Sequence, residues 1–270
     1  MSMDGGRPGL KAKAYERKRR ISRRMRQYAE TSPLREFFTA GLECDDGLPP
    51  SELDGFALDF QIFIAALSIP SAWGAGVELK FRKLGCHRAE GLYYPDHRVL
   101  ALDLRHPRSF AHEFGHLIDY RAAERTPKGK APSEEEAFFP FRRLLLERMK
   151  RDGQDDPRLF ERSGRISWRY FSSPRECFAR LFEQLAAEVL PRGTSVVLPP
   201  DAYRGDPLFL TAIPPGLIDY FQALLAQTSI SREGCQSGAS LATASASLRK
   251  KSVVIFSTIP SKKGGISWPE

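Results

Sequence analysis

Phe110-Ala-His-Glu-Phe-Gly-His-Leu-Ile-Asp-Tyr120 decides how the rest of this chain is read. At about 100° per residue, His112, His116 and Asp119 share one stripe of a helix, and Phe110, Phe114 and Leu117 fall on the opposite side. Ala111, Gly115 and Ala122 make a third stripe of small residues. Gly115 costs about 1 kcal/mol of helix propensity relative to Ala, so its presence implies a closely packed neighbour. The segment His112-Glu113-x-x-His116 places two imidazoles one turn apart on the same face, where both reach one metal ion. Zinc (Zn2+) favours such a pair because it takes neutral imidazole nitrogen at tetrahedral angles. Glu113 sits about 100° round the helix from His112, beside the metal face, placed to deprotonate a metal-activated water without serving as a ligand. Asp119, one turn beyond His116, is a candidate to orient a ligand imidazole from behind the metal, or else a surface carboxylate.

A catalytic zinc takes three protein ligands, and no histidine follows His116. The third ligand is therefore expected to be a carboxylate from another helix. The best candidate is Glu176 in Ser173-Pro-Arg-Glu-Cys-Phe-Ala-Arg-Leu-Phe-Glu183, with Glu183 the next choice. Glu176, Arg180 and Glu183 lie opposite the apolar face formed by Phe178, Leu181, Phe182 and Leu185. Ser173-x-x-Glu176 is equally a capping box, and Glu176 with Arg180 an ordinary i,i+4 ion pair, so spacing alone leaves the assignment open.

Outward from these two helices the chain reads as α+β. Asp54–Ile69 is apolar-rich and stops at Pro70, as a buried helix would. Val77, Leu79 and Phe81 alternate with Glu78, Lys80 and Arg82, the pattern of a half-buried strand. Gly91–Tyr94, a turn at Pro95-Asp96-His97, and Val99–Leu104 complete an expected small, mainly antiparallel sheet that feeds the helix from about Ser109. The strand Val99–Leu104 is the expected edge on which an extended substrate would lie. Further helices are expected from Ser173 to about Val189 and over Leu217–Ala226, and Tyr170 is either a donor to a developing oxyanion or a packed aromatic beside Trp168.

Charge divides the chain differently. Of 41 Lys and Arg in 270 residues, ten fall in residues 1–27 against two acids, a net +8 that equals the net charge of the whole chain. The expected domains are thus a basic arm over residues 1–30, with helix expected from Ala12 to Gln27, a folded domain over 31–227, and a serine-rich flexible tail over 228–270. Residues 7–26 of the arm are a possible contact for nucleic acid. The four cysteines form no C-x-x-C pair, no apolar run is long enough to span a bilayer, and the N-terminus runs straight into charge. A cytoplasmic protein with no membrane partner is the expectation.

The combination Glu90-Gly-Leu-Tyr-Tyr94, Ala101-Leu-Asp-Leu104, Phe110–Asp119 and Tyr170–Glu183 resembles the zincin-type, metallopeptidase-like large polyvalent protein-associated domain of phage and plasmid proteins. The resemblance spans about residues 57 to 227 and couples an H-E-x-G-H helix to a later S-P-x-E-x-F-A-R-x-F-E helix. It implies a zincin-like fold from a mobile genetic element, with His112, His116 and Glu176 as zinc ligands and Glu113 as general base. It also implies a gluzincin-like zinc metallopeptidase acting on a protein or peptide substrate. The alternative is a nucleic-acid-associated accessory protein that works through its basic arm and carries the zincin module as a structural or inactive part.

Overall fold

The computed structural model describes residues 14–16, 18, 20–84, 89–154, 156, 159, 168–190 and 192–227. The expected serine-rich tail 228–270 and residues 1–13 of the basic arm lie outside the described residues. Four strands build one sheet: β1 (Gly41–Cys44), β2 (Glu78–Phe81), β3 (Gly91–Tyr94) and β4 (Val99–Leu102), in the order β1-β2-β4-β3. Two of the three pairings are parallel, β1 with β2 and β2 with β4, and only β3 with β4 is antiparallel. This corrects the expected mainly antiparallel sheet. The chain leaves β1 through the helix α3 (Pro50–Ala66) before returning as β2, and such a crossover sets strands parallel. A tight turn at Pro95–His97, closed by Arg98 in the left-handed region at φ 50°, makes the single hairpin.

The sheet has two very different faces. Leu79, Phe81, Leu100 and Leu102 point into the main core, where Phe56, Phe60 and Phe63 of α3 meet Phe110 and Phe114 of α4 (Phe110–Ala123) edge-on at 5.4–5.6 Å. That aromatic cluster fixes α4 against the sheet. On the other face Glu78, Lys80 and Arg82 are not left to solvent as the alternation suggests: Lys80 is 0% exposed and Arg82 is buried. A segment before the first helix lies over them. Ala14 packs on Leu84 and Ala101, Tyr15 stacks on His97 at 3.7 Å, and Arg82 donates to the Glu16 carbonyl.

The helix expected from Ala12 begins instead at Arg23. Here α1 (Arg23–Thr31) starts where the Ser22 hydroxyl accepts the Met25 N–H at 3.3 Å, and Ser22 is itself tied to Asp46. Met25 and Ala29 of α1 are buried in the main core, so the expected boundary at residue 30 falls inside a helix of the domain. The remaining helices are α2 (Leu34–Phe37), α5 (Phe139–Asp152), α6 (Trp168–Phe171), α7 (Pro174–Val189) and α8 (Pro215–Ala226). Among the described residues no helix is long and apolar enough to cross a membrane.

Candidate metal centre

Two helices make the site, and a glycine sets their distance. A Cβ on Gly115 would lie 2.9 Å from Ala179 Cα and 3.3 Å from Phe182 Cβ, so α4 touches the backbone of α7 only because residue 115 has no side chain. Ser173 caps α7, its hydroxyl accepting the Glu176 N–H, and Pro174 occupies the first turn. Only the Ser173 half of the expected capping box forms: the Ser173 N–H goes to the Tyr170 carbonyl, and the Glu176 side chain reaches across at α4 instead.

The structure brings His112, His116 and Glu176 together, one ligand atom of each lying within 4.8 Å of the others. Glu176 Oε2 is 3.6 Å from Nε2 of both imidazoles. Such distances are too long for hydrogen bonds. They match the edges of a coordination tetrahedron: an ion about 2.1 Å from each ligand holds neighbouring ligand atoms about 3.4 Å apart. Glu176 is only 2% exposed, its Oε1 accepts from Arg180 Nη2 at 2.6 Å, and its Oε2 has no hydrogen-bond partner. A buried carboxylate oxygen without a partner is costly, and a cation between it and the two imidazoles removes that cost. The donor set therefore fits a zinc ion on its own chemistry.

Electrostatics agree with the geometry. Burial works against a charged His112, but the carboxylates of Glu176 and Glu183 outweigh it and push the imidazole up to about 10. Burial would raise Glu176 too, yet His112, His116 and Arg180 hold it well below the usual carboxylate range.

Glu113 stands beside the ligands and is not one of them. Its Oε2 accepts the Tyr93 N–H of β3 at 2.8 Å. The approach requires Gly91, where a Cβ would come within 2.6 Å of Glu113 Cγ and 2.8 Å of Ser109 Oγ. The strand beside the site is thus β3. The Val99–Leu104 segment expected to take an extended substrate lies inside the sheet, with β4 paired on both sides. The Asp103 N–H bonds the Glu90 carbonyl, so Gly91 and Tyr93 turn their backbone groups to the free edge.

Asp119 is fully buried, but its carboxylate accepts the Ser133 N–H and hydroxyl, both at 2.8 Å, with Arg175 at 3.7 Å. It ties α4 to the loop before α5 instead of orienting an imidazole through a direct hydrogen bond. The group behind His112 is Glu183, whose Oε2 lies 3.2 Å from Nδ1 and whose Oε1 accepts from the Tyr203 hydroxyl at 3.0 Å. Glu183 is seven residues beyond Glu176, two turns along the same polar stripe, and that spacing is a signal for a carboxylate behind the ligands. Tyr203 comes from a connection with no motif. Tyr170 is 49% exposed and pairs edge-on with Phe171 at 5.3 Å; burial, the Glu176 carboxylate and Glu113 all raise its phenol, which lies in the field of both acids.

No protein-family model, curated protein or solved structure matches this chain.

Proposed function

We propose that this chain is a zinc-dependent metallopeptidase of zincin type, hydrolysing a protein or peptide substrate. The observation that carries the reading is the unpartnered, buried Oε2 of Glu176 held equidistant from His112 and His116. Zinc held by these three residues supplies Lewis acidity, bringing the pKa of water towards neutrality and polarising a scissile carbonyl. The chain's own residues supply the rest. Glu113, with one oxygen fixed by the Tyr93 N–H, takes the proton of the attacking water on the other and passes it to the leaving amine. The free edge of β3, through the backbone of Gly91 and the Tyr93 carbonyl, offers an extended peptide the pairing of an added strand, the Tyr93 N–H being held by Glu113. Glu183 keeps the His112 proton on Nδ1, leaving Nε2 as a lone-pair donor.

Metal content by mass spectrometry on the untagged protein, paired with peptide hydrolysis, tests this reading. Wild type holds about one zinc per chain, and His112→Ala and Glu176→Ala lose it. Glu113→Gln keeps the zinc and loses roughly 100- to 10,000-fold in rate, the ordinary worth of a positioned general base. A wild-type protein that takes up no zinc, or a fully active Glu113→Gln, sinks the proposal.

One observation favours a second role for the arm. On α1 the apolar residues face the core, while Arg23, Arg24 and Arg26 are exposed on the outer side. A rigidly mounted row of guanidinium groups suits nucleic-acid phosphates. Replacing the three by Ala is expected to flatten the dependence of log K on log salt by up to about 0.9 per lost duplex contact. An unchanged slope removes this role.

A further inference from the structure

The hydrogen bonds behind His112 do not stop at Glu183. Tyr203 closes the turn Pro200–Tyr203, is 5% exposed, and packs its ring edge-on against Phe209 at 4.5 Å. Its hydroxyl donates to Glu183 Oε1 at 3.0 Å while Glu183 Oε2 faces His112 Nδ1 at 3.2 Å. A carboxylate free at one oxygen can swing about its last torsion, which is broad. With Oε1 held by the phenol, Oε2 stays aimed at the imidazole.

The turn that carries Tyr203 is itself fastened to α7. Gln184, the neighbour of Glu183, donates to the Leu210 carbonyl at 2.6 Å and accepts the Leu210 N–H at 2.9 Å. Two consecutive side chains of α7 thus grip the segment between residues 203 and 210, one at each end. The phenol is oriented by backbone anchoring and ring packing, and Glu183 by the phenol.

We propose that Tyr203 is a positioning residue of the metal centre, which acts through Glu183 to hold His112 in its ligating orientation and tautomer and so raises metal affinity. This rests on the metal centre argued above. Partners of this kind, one bond removed from the ligands, commonly change metal affinity 10- to 100-fold.

Zinc affinity, measured by competition with a chromogenic chelator, tests the proposal on full-length wild type, Tyr203→Phe, Glu183→Gln and the double variant. Tyr203→Phe keeps the ring on Phe209 and removes only the hydroxyl. It is expected to weaken zinc binding about 3- to 10-fold, and Glu183→Gln about 10- to 100-fold. Because the phenol acts through the carboxylate, the double variant is expected to bind no worse than Glu183→Gln alone. The visible spectrum of the cobalt(II)-loaded protein supplies a second readout: Tyr203→Phe shifts the bands if His112 loses its orientation, whereas a loss of packing alone lowers the melting temperature and leaves the bands in place. Unchanged affinity and bands in Tyr203→Phe, or an equal loss in both backgrounds, overturn the relay while the zinc site stands. A wild type that binds neither metal overturns the centre itself.

Discussion

The two sides of the sheet both bury charge, and they bury it in opposite ways. On the outer face Lys80 Nζ sits 3.3 Å from Glu78 and 3.7 Å from Glu43, Arg82 Nε donates to Glu43 at 3.0 Å, and Lys18 pairs with Asp45. Each anion there has a cation of the chain as its neighbour. On the other side of the sheet, between α4 and α7, the imidazoles of His112 and His116 and the near oxygen of Glu176 converge on one point, with each Nε2 3.6 Å from that oxygen and no hydrogen bond to it. Arg180 neutralises the far oxygen of Glu176 and leaves the near one unpartnered. Buried charge alone does not mark a site, since compensated networks are structural. A buried carboxylate oxygen facing two imidazoles without a hydrogen bond is the arrangement the proposed metal would complete.

If that contrast is right, the largest stability effect lies far from the metal. Lys80→Met removes the buried cation shared by buried Glu43 and half-buried Glu78 and is expected to destabilise the fold by as much as about 3 kcal/mol in urea, with zinc stoichiometry unchanged. Glu43 would keep Arg82 as its partner. A Lys80→Met protein as stable as wild type would show that the outer network contributes no compensation, and the comparison would fail.

Gly115→Ala sharpens the other side. The added methyl meets the backbone of Ala179 at 2.9 Å, and backbone gives way less easily than a side chain. Overpacking of this kind costs about 1–3 kcal/mol and is expected to push α7 outward, so zinc affinity should fall along with stability. An equal stability loss without weaker zinc binding would mean that the spacing of α4 and α7 does not set the ligand geometry.

What the sequence showed and hid follows the same division. The site was legible because it is written at helical spacing: His112 and His116 one turn apart, Glu176 and Glu183 two turns apart on a polar stripe, and Gly115 where a neighbour had to come close. The sheet was less legible. β1 is Gly-Leu-Glu-Cys, too short and mixed to show alternation, and nothing in the later segments reports that β4 inserts between β2 and β3 and so runs parallel to β2. Lys80 and Arg82 read as solvent-facing because nothing in their own segment reports that residues 14–16 and Lys18 lie across them. Asp119 fell on the ligand stripe, but its partner Ser133 sits in the short 3-10 turn Pro132–Glu134, and no spacing along the chain reports that this turn reaches α4.

The smallest effect, and the finest test, comes from two buried aspartates with opposite shifts. Asp103, on the strand side, is raised by burial, but Arg105 and the Leu84 and Arg105 N–H groups prevail and hold it down to about 2. Asp119, on α4, is raised: burial outweighs the Ser133 donors and Arg175. A depressed carboxylate contributes stability that is present in full above its unfolded pKa near 4 and disappears as pH falls through about 2. A raised one is a penalty present above its folded pKa and relieved as pH falls through it. The Asp103 contribution is about 1–2 kcal/mol at neutral pH, so the stability gap between wild type and Asp103→Asn should narrow on acidification from pH 4 to pH 2. The Asp119→Asn gap should move the other way and at higher pH, the variant losing ground relative to wild type as acid relieves the native penalty between the raised folded pKa and the unfolded value near 4. Chemical denaturation of metal-free protein from about pH 7 to pH 2 reads both slopes in one series. Parallel slopes for the two variants would mean that the chain handles its buried acids alike on both sides, and the contrast between the ion-paired outer face and the ligand cluster would lose its physical basis.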